Sequence, residues 1–232
     1  LGFARAEALF VHILIFSQAT LGLILVALLI AYLPTMYSAF ARRERYVNLL
    51  DVRAGTPPSS LEMLMRYNRI HGFHRLGEYW HSWEAWFAEI EESHTKLPAL
   101  VFFRSPREKL SWVTAAGTVL DAAALSMSAL DIPREPSAAL CVRAGFIALR
   151  RIARNFDIPY PEEPIFPDTP ISISQDEFYD VLNELAEAGV PIKENRAQAW
   201  KDFAGWRVNY DHVLLGLSDL IMAPFAFWSS DR

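Results

Sequence analysis

The sequence predicts an all-α protein in which one N-terminal transmembrane helix precedes a cytoplasmic helical bundle. The first observation is a run of 34 residues, from Ala8 to Ala41, that contains no Asp, Glu, Lys or Arg. The second is a series of helical apolar periods with N-cap signals in the remainder of the chain. The third is that no stretch alternates convincingly as a strand does. Because 52% of the 232 residues are hydrophobic, the chain can also bury a core.

The apolar run is long enough to cross a bilayer. About 18 uncharged apolar residues suffice for a transmembrane helix, and this run is longer. A continuous helix over it measures about 50 Å, against about 30 Å for the hydrocarbon core. Part of the helix must therefore tilt, kink or lie outside the core, and Pro34 is the expected kink because it removes one backbone hydrogen bond.

Charges on the two flanks of the run predict its orientation. Arg42, Arg43 and Arg45 follow it directly, whereas Arg5 and Glu7 cancel on the N-terminal side. By the positive-inside rule the chain leaves the membrane on the cytoplasmic side. The predicted location is the cell membrane, with the C-terminal domain in the cytoplasm. No basic segment precedes the run and no small-residue cleavage site ends it, which argues against a signal peptide. Because the chain starts with Leu, we expect a mature or truncated form.

The composition and the motifs that the sequence lacks argue against several classes of function. The net charge is −5, which disfavours a nucleic-acid partner. Cys141 is the single cysteine, so an internal disulfide framework is excluded. The sequence has no Walker loop, dinucleotide fingerprint, zinc-ligand spacing or nucleophile elbow. We therefore predict neither an enzyme nor a cofactor or metal.

Three regions are predicted along the chain. Residues 1–45 form the membrane segment, residues 46–60 a linker with a turn-rich end, and residues 61–232 a cytoplasmic all-α domain. Capping boxes predict three helix starts, at Ser59…Glu62, Ser105…Glu108 and Ser174…Glu177. Further helices are expected over about 74–94, 106–130, 137–156 and 195–222.

A proline-rich segment interrupts the helical pattern at residues 157–171. Four of its five prolines recur at every third residue, which is the period of polyproline II. The segment is interpreted as an extended strap between helical layers, with a docking ligand for a partner as the alternative.

Asp121 lies among small residues in the Ala-rich segment, where another helix can approach closely. A buried carboxylate needs a partner, so we expect it to contact Arg143 or Arg150 on the next amphipathic helix. A second cluster, with helical spacing and possible metal ligands, consists of His71, His74, Glu78 and His81. An exposed polar face is the alternative interpretation of these four residues.

Leu1, Gly2 and Phe3, followed by an apolar helix with Gly22, resemble the end of the filter and the inner helix of potassium channels of the bacterial two-pore-domain type. The resemblance implies that Leu1, Gly2 and Phe3 expose carbonyls to a potassium ion. It also implies a hinge at Gly22 and a homo-oligomer within the lipid bilayer. Ala4 stands where the family has its second filter glycine.

Two other functions remain open from the sequence. One is a single-span anchor that presents a helical scaffold or sensor domain and conducts no ions. The other is a membrane-tethered metalloenzyme that uses the His/Glu face around His71 and His74.

Overall fold

The structure, a computed structural model, describes residues 8–230 and confirms the all-α prediction. Two short 3₁₀ turns, Phe73–Arg75 and Pro98–Phe102, flank the third helix. The described range has no β-strand and eight α-helices: α1 (Leu9–Ala54), α2 (Ser60–Arg69), α3 (Leu76–Lys96), α4 (Trp112–Ser128), α5 (Pro136–Arg154), α6 (Gln175–Glu187), α7 (Arg196–Arg207) and α8 (Asp211–Leu220).

The chain divides into two compact units between Ala41 and Arg42. In the first unit every residue from 8 to 35 is exposed. Within the described range, α1 is the one helix long and apolar enough to cross a membrane. Pro34 lies inside α1, and the helix continues beyond it to Ala54. Residues 46–54, which the sequence assigned to a linker, are helical and belong to α1, so the connection to α2 is residues 55–59.

Helix α4 lies at the centre of the second unit. It packs against α2, α5, α7 and α8, and all but one of its residues are buried. Small side chains make this possible because they let neighbouring backbones approach. The contact with α5 is especially close at Gly145, where an added Cβ would collide with Leu120 and lie 3.0 Å from the Phe87 ring. Helix α3 packs along α5 on the other side.

The second unit contains two hydrophobic clusters. The first joins α2, α3, α4, α5, α8 and the end of α1, and its largest buried side chains are Trp80, Trp83, Trp86 and Trp112. The second joins α4, α6, α7 and the C-terminal segment, and its largest buried side chains are Phe178, Trp200, Phe203 and Trp228.

Two predicted helix boundaries are wrong. The segment Ser105–Glu108 does not open a helix; α4 begins later, after Ser111, whose hydroxyl accepts from the Val113 amide. The predicted helix over 195–222 is broken into α7 and α8 at residues 208–210. This break turns Tyr210 inward, so that its hydroxyl donates to Asp121.

The proline-rich segment 157–171 forms neither helix nor strand and packs on the last helices. The Ile158 side chain fills the space beside Gly216, where an added Cβ would lie 2.5 Å from it. The Phe166 ring packs edge-on against Trp200, with centroids 5.7 Å apart. These contacts favour the strap interpretation over that of a free docking ligand.

Candidate functional site

The predicted ion-conduction residues Leu1, Gly2 and Phe3 lie outside the described residues. Gly22, the predicted hinge, has open space around it, because no atom lies within 4 Å of an added Cβ. The nearby polar group of Thr20 is satisfied within the helix, since its hydroxyl donates to the Phe16 carbonyl at 2.8 Å.

Asp121 is buried, with 1% of its surface exposed, and its partner is Arg207. Nη1 of Arg207 donates to both carboxylate oxygens, at 2.7 and 2.8 Å, and the Tyr210 hydroxyl donates at 2.8 Å. Because these donors surround the carboxylate in the core, Asp121 serves as a structural anchor.

The predicted partners of Asp121 are therefore wrong. Arg143 is exposed on α5. Arg150 is half-buried and donates instead to the carbonyls of Asn209 and Glu162, so it fastens the strap. Both arginines lie on the next helix along the chain, whereas Arg207 reaches Asp121 across 86 residues.

Arg207 extends this ionic centre to the C-terminal segment. It also donates to Asp211 at 2.7 Å and to the Trp228 carbonyl at 2.6 Å. Asp211 in turn accepts from the amide and hydroxyl of Ser172, at the end of the strap. Burial raises the pKa of Asp211, but attraction to Arg207 and the hydrogen bonds from Ser172 outweigh it and hold that pKa below its usual range. One buried guanidinium thus joins α4, α8, the strap and the C-terminal segment.

A second buried guanidinium lies at the start of the second unit. Arg43, which the sequence placed in an exposed positive-inside cluster, is 2% exposed. It donates to the carbonyls of Leu100 and Phe103, at 2.8 and 2.6 Å, and its Nε donates to Glu44 at 2.9 Å. Arg43 therefore fixes the 3₁₀ turn after α3 to the end of α1.

His94 lies against Arg43 in the core. The two side chains approach within 3.2 Å at Nη1 and Nε2, and the imidazole packs on Trp112 with centroids 4.9 Å apart. Burial first, and the positive charge of Arg43 second, lower the pKa of His94 to about 3. The imidazole is therefore neutral at physiological pH.

The four possible metal ligands before and within α3 do not come together. His71, His74 and His81 are exposed, and Glu78 forms an exposed ion pair with Arg75. Among residues 8–230, no group of three or more His, Cys, Asp and Glu side chains has a metal-binding arrangement. The alternative of an exposed polar face fits these positions better.

A cavity with a volume of about 1,130 Å³ lies in the second unit. It lies between the start of α3, the connection from α4 to α5, and the exposed side of α7. Its wall is apolar where the two hydrophobic clusters meet, and half-buried Phe73, Ile132 and Trp206 contact both clusters. A concave apolar wall of this size is typical of small-molecule sites.

Some charged groups around the cavity form hydrogen bonds within the protein, whereas two cations have no ion-pair partner among the described side chains. Lys193 donates to the carbonyls of Met127 and Ser128, at the C-terminal end of α4. Glu135 accepts from Ser137 and caps α5. Arg134 and Lys201, in contrast, are exposed and have no ion-pair partner among the described side chains.

Sequence reasoning did not find this cavity. Its lining comes from four separate segments between Phe73 and Asn209, so no local motif marks it. Pro133 and Pro136 are the local signal in the sequence, and they indicate a connection between α4 and α5. They do not indicate which other segments pack around that connection.

Comparison of the chain with protein-family models, with curated proteins and with solved structures found no match.

Proposed function

We propose that this chain is part of an integral membrane protein, with a membrane-spanning helix and a cytoplasmic regulatory or assembly domain. The observation that carries the proposal is that every residue from 8 to 35 is exposed. This segment includes sixteen large apolar side chains besides Tyr32: Leu9, Phe10, Val11, Ile13, Leu14, Ile15, Phe16, Leu21, Leu23, Ile24, Leu25, Val26, Leu28, Leu29, Ile30 and Leu33.

The free energy of hydration supports a lipid environment for this segment. Moving one large apolar side chain out of water contributes roughly 1.5–3 kcal/mol, so the run as a whole contributes on the order of tens of kcal/mol. The second unit does not use this surface for its core, which is closed by its own helices. A bilayer supplies an apolar surround of the required thickness.

The three arginines after the apolar run support a cytoplasmic location of the second unit, although two of them interact with other residues of the folded domain. Arg43 is buried, and Arg42 forms an ion pair with Glu89. Arg45 is exposed, with its guanidinium 5.4 Å from the centroid of the Tyr46 ring. The positive-inside rule concerns the charge beside the segment during insertion, so all three contribute to the orientation.

Membrane fractionation tests this proposal directly. The wild-type chain is expected to stay in the membrane pellet after alkaline carbonate extraction. Replacing Ile24 and Leu28 together by arginine adds about 2.5–3.5 kcal/mol per residue to insertion, so this variant should move to the supernatant or be degraded. The matched control replaces the same two residues by alanine and should remain in the pellet. Extraction of the wild-type chain would contradict the proposal.

The potassium-channel form of this proposal is a narrower candidate. It is supported by Leu1-Gly2-Phe3 directly before an apolar helix, and by Gly22, whose surroundings are open enough for another helix to approach its backbone. Potassium flux through the full-length protein in liposomes tests it. Absence of flux would leave the anchored scaffold or sensor domain as the function.

A further inference from the structure

We propose that the cavity between α3, the α4–α5 connection and α7 binds a small amphipathic anion, with an aryl or acyl body and one carboxylate-like group. The cavity lies entirely within the second unit. The inference therefore stands apart from the proposed membrane insertion, and each can fail without the other.

The wall of the cavity fits an apolar body. Phe73, Ile132 and Trp206 are half-buried, and each contacts both hydrophobic clusters. Their remaining exposed surface lies in a concave site rather than on a convex face, because all three line the cavity. Burying this surface against an aromatic or aliphatic group removes apolar area from water on both partners.

The charges around the cavity favour an anion. Arg134, Lys193 and Lys201 line it, against two acidic residues, although the whole chain carries a net charge of −5. Glu135 accepts from the Ser137 amide and Asp202 from Gln198, and both keep their negative charge, so three cations against two carboxylates leave one excess positive charge around the cavity.

The two cations without ion-pair partners are the groups that would bind the charged end of the ligand. Arg134 precedes α5 and Lys201 lies on α7, so they approach the cavity from different elements. A carboxylate, sulfonate or phosphate can accept charge-assisted hydrogen bonds from either group.

Gly205 offers a variant that adds an apolar side chain at the cavity without disturbing the fold. It lines the cavity on the exposed side of α7, and no atom lies within 4 Å of an added Cβ. Gly205→Leu therefore places an apolar side chain in open space at the cavity. It should also stabilise α7, because glycine is an unfavourable residue in a helix interior.

The test uses the full chain in lipid nanodiscs, with empty nanodiscs as the blank, and isothermal titration calorimetry with 2-naphthoate as the probe. We expect saturable binding with one site per chain. The neutral analogue 2-naphthalenemethanol should bind at least about tenfold more weakly, because one charge-assisted hydrogen bond is worth about that much.

Three variants decide where the probe binds. Arg134→Gln combined with Lys201→Gln should weaken binding about tenfold or more, and Gly205→Leu, which occupies part of the cavity, should also weaken it. Lys109→Gln removes an exposed cation that does not line the cavity, so its affinity should match that of the wild type. No binding by the wild type, equal affinity for the neutral analogue, or full binding by Gly205→Leu would each overturn the proposal.

Discussion

Nη1 of Arg207 donates to both carboxylate oxygens of Asp121 in a region that excludes water, with both side chains at most 1% exposed. The pair joins the central helix α4 to the end of α7. Since Arg207 also contacts the Trp228 carbonyl, the pair holds the C-terminal segment as well. The stability of the second unit should therefore depend on this one guanidinium more than on any surface ion pair.

Removing one partner of this pair should be costly. Asp121→Ala leaves Arg207 with Asp211 as its carboxylate partner but deprives Nη1 of Arg207 and the buried Tyr210 hydroxyl of their acceptor, which should lower the free energy of unfolding by about 3 kcal/mol. Glu91→Ala removes the partner of the exposed Arg151 and should cost about 1 kcal/mol or less. Chemical denaturation followed by tryptophan fluorescence measures both.

A second variant separates the two carboxylates from their shared cation. Arg207→Met leaves Asp121 and Asp211 as two buried carboxylates without a cation, so it should be less stable than Asp121→Leu, which keeps the Arg207–Asp211 pair. Equal losses for Asp121→Ala and Glu91→Ala would contradict a structural role for the pair.

Stability should fall as the pH is lowered, because of His94. Its pKa of about 3 in the folded protein lies below the ordinary value, so the unfolded chain binds the additional proton between about pH 6.5 and pH 3. The stabilisation is complete above about pH 6.5 and is lost progressively as the pH falls toward 3. This single group should lower the free energy of unfolding by about 2 kcal/mol between pH 7 and pH 5.

His94→Gln is the matched test of this pH dependence. Glutamine keeps a polar group near Arg43 but does not titrate, so the unfolding free energy of the variant should vary less over that range. Denaturation midpoints at pH 5, 6 and 7 measure the difference. A variant with the same slope as the wild type would show that the pH dependence arises elsewhere.

Close helix packing predicts opposite effects of alanine at two helical glycines. Gly145→Ala should destabilise the protein, because the new methyl group collides with Leu120 in a core that cannot move aside. Gly205→Ala meets no neighbour and should stabilise α7 by up to about 1 kcal/mol. Thermal unfolding measured by circular dichroism compares the two, and a melting temperature raised by both changes would contradict the packing described.

Gly22 provides a prediction for the membrane segment. If another helix approaches its open backbone, Gly22→Leu should weaken the association of subunits, whereas Leu23→Ile, beside it, should not. Cross-linking in native membranes measures the oligomer fraction. Unchanged association in Gly22→Leu would remove Gly22 from the interface.

Local signals in the sequence predict the helical class and the apolar segment well. The Ser174…Glu177 capping box and the period of Phe178, Val181 and Leu185 predict α6, since these interactions involve neighbours within one helix. The sequence does not indicate the break between α7 and α8, because apolar residues continue through it. It is stabilised instead by Tyr210 contacting Asp121, 89 residues away.

The same limit applies to the candidate sites. Arg43 has the sequence context of an exposed basic cluster, and its burial depends on carbonyls at Leu100 and Phe103 that no periodicity relates to it. The partner of Asp121 was sought on the next helix, although Arg207 on α7 fills that role. Long-range packing decides both, and a single sequence carries no signal for it.

The orientation of the second unit tests the central claim most directly. Asn155→Cys places a thiol on an exposed position after α5, while the native Cys141 is fully buried and burial raises its pKa, which leaves it unreactive. A membrane-impermeant maleimide should fail to label intact cells that carry this variant and should label them after permeabilisation. Labelling of intact cells would contradict the cytoplasmic location of the domain and the membrane topology proposed for the chain.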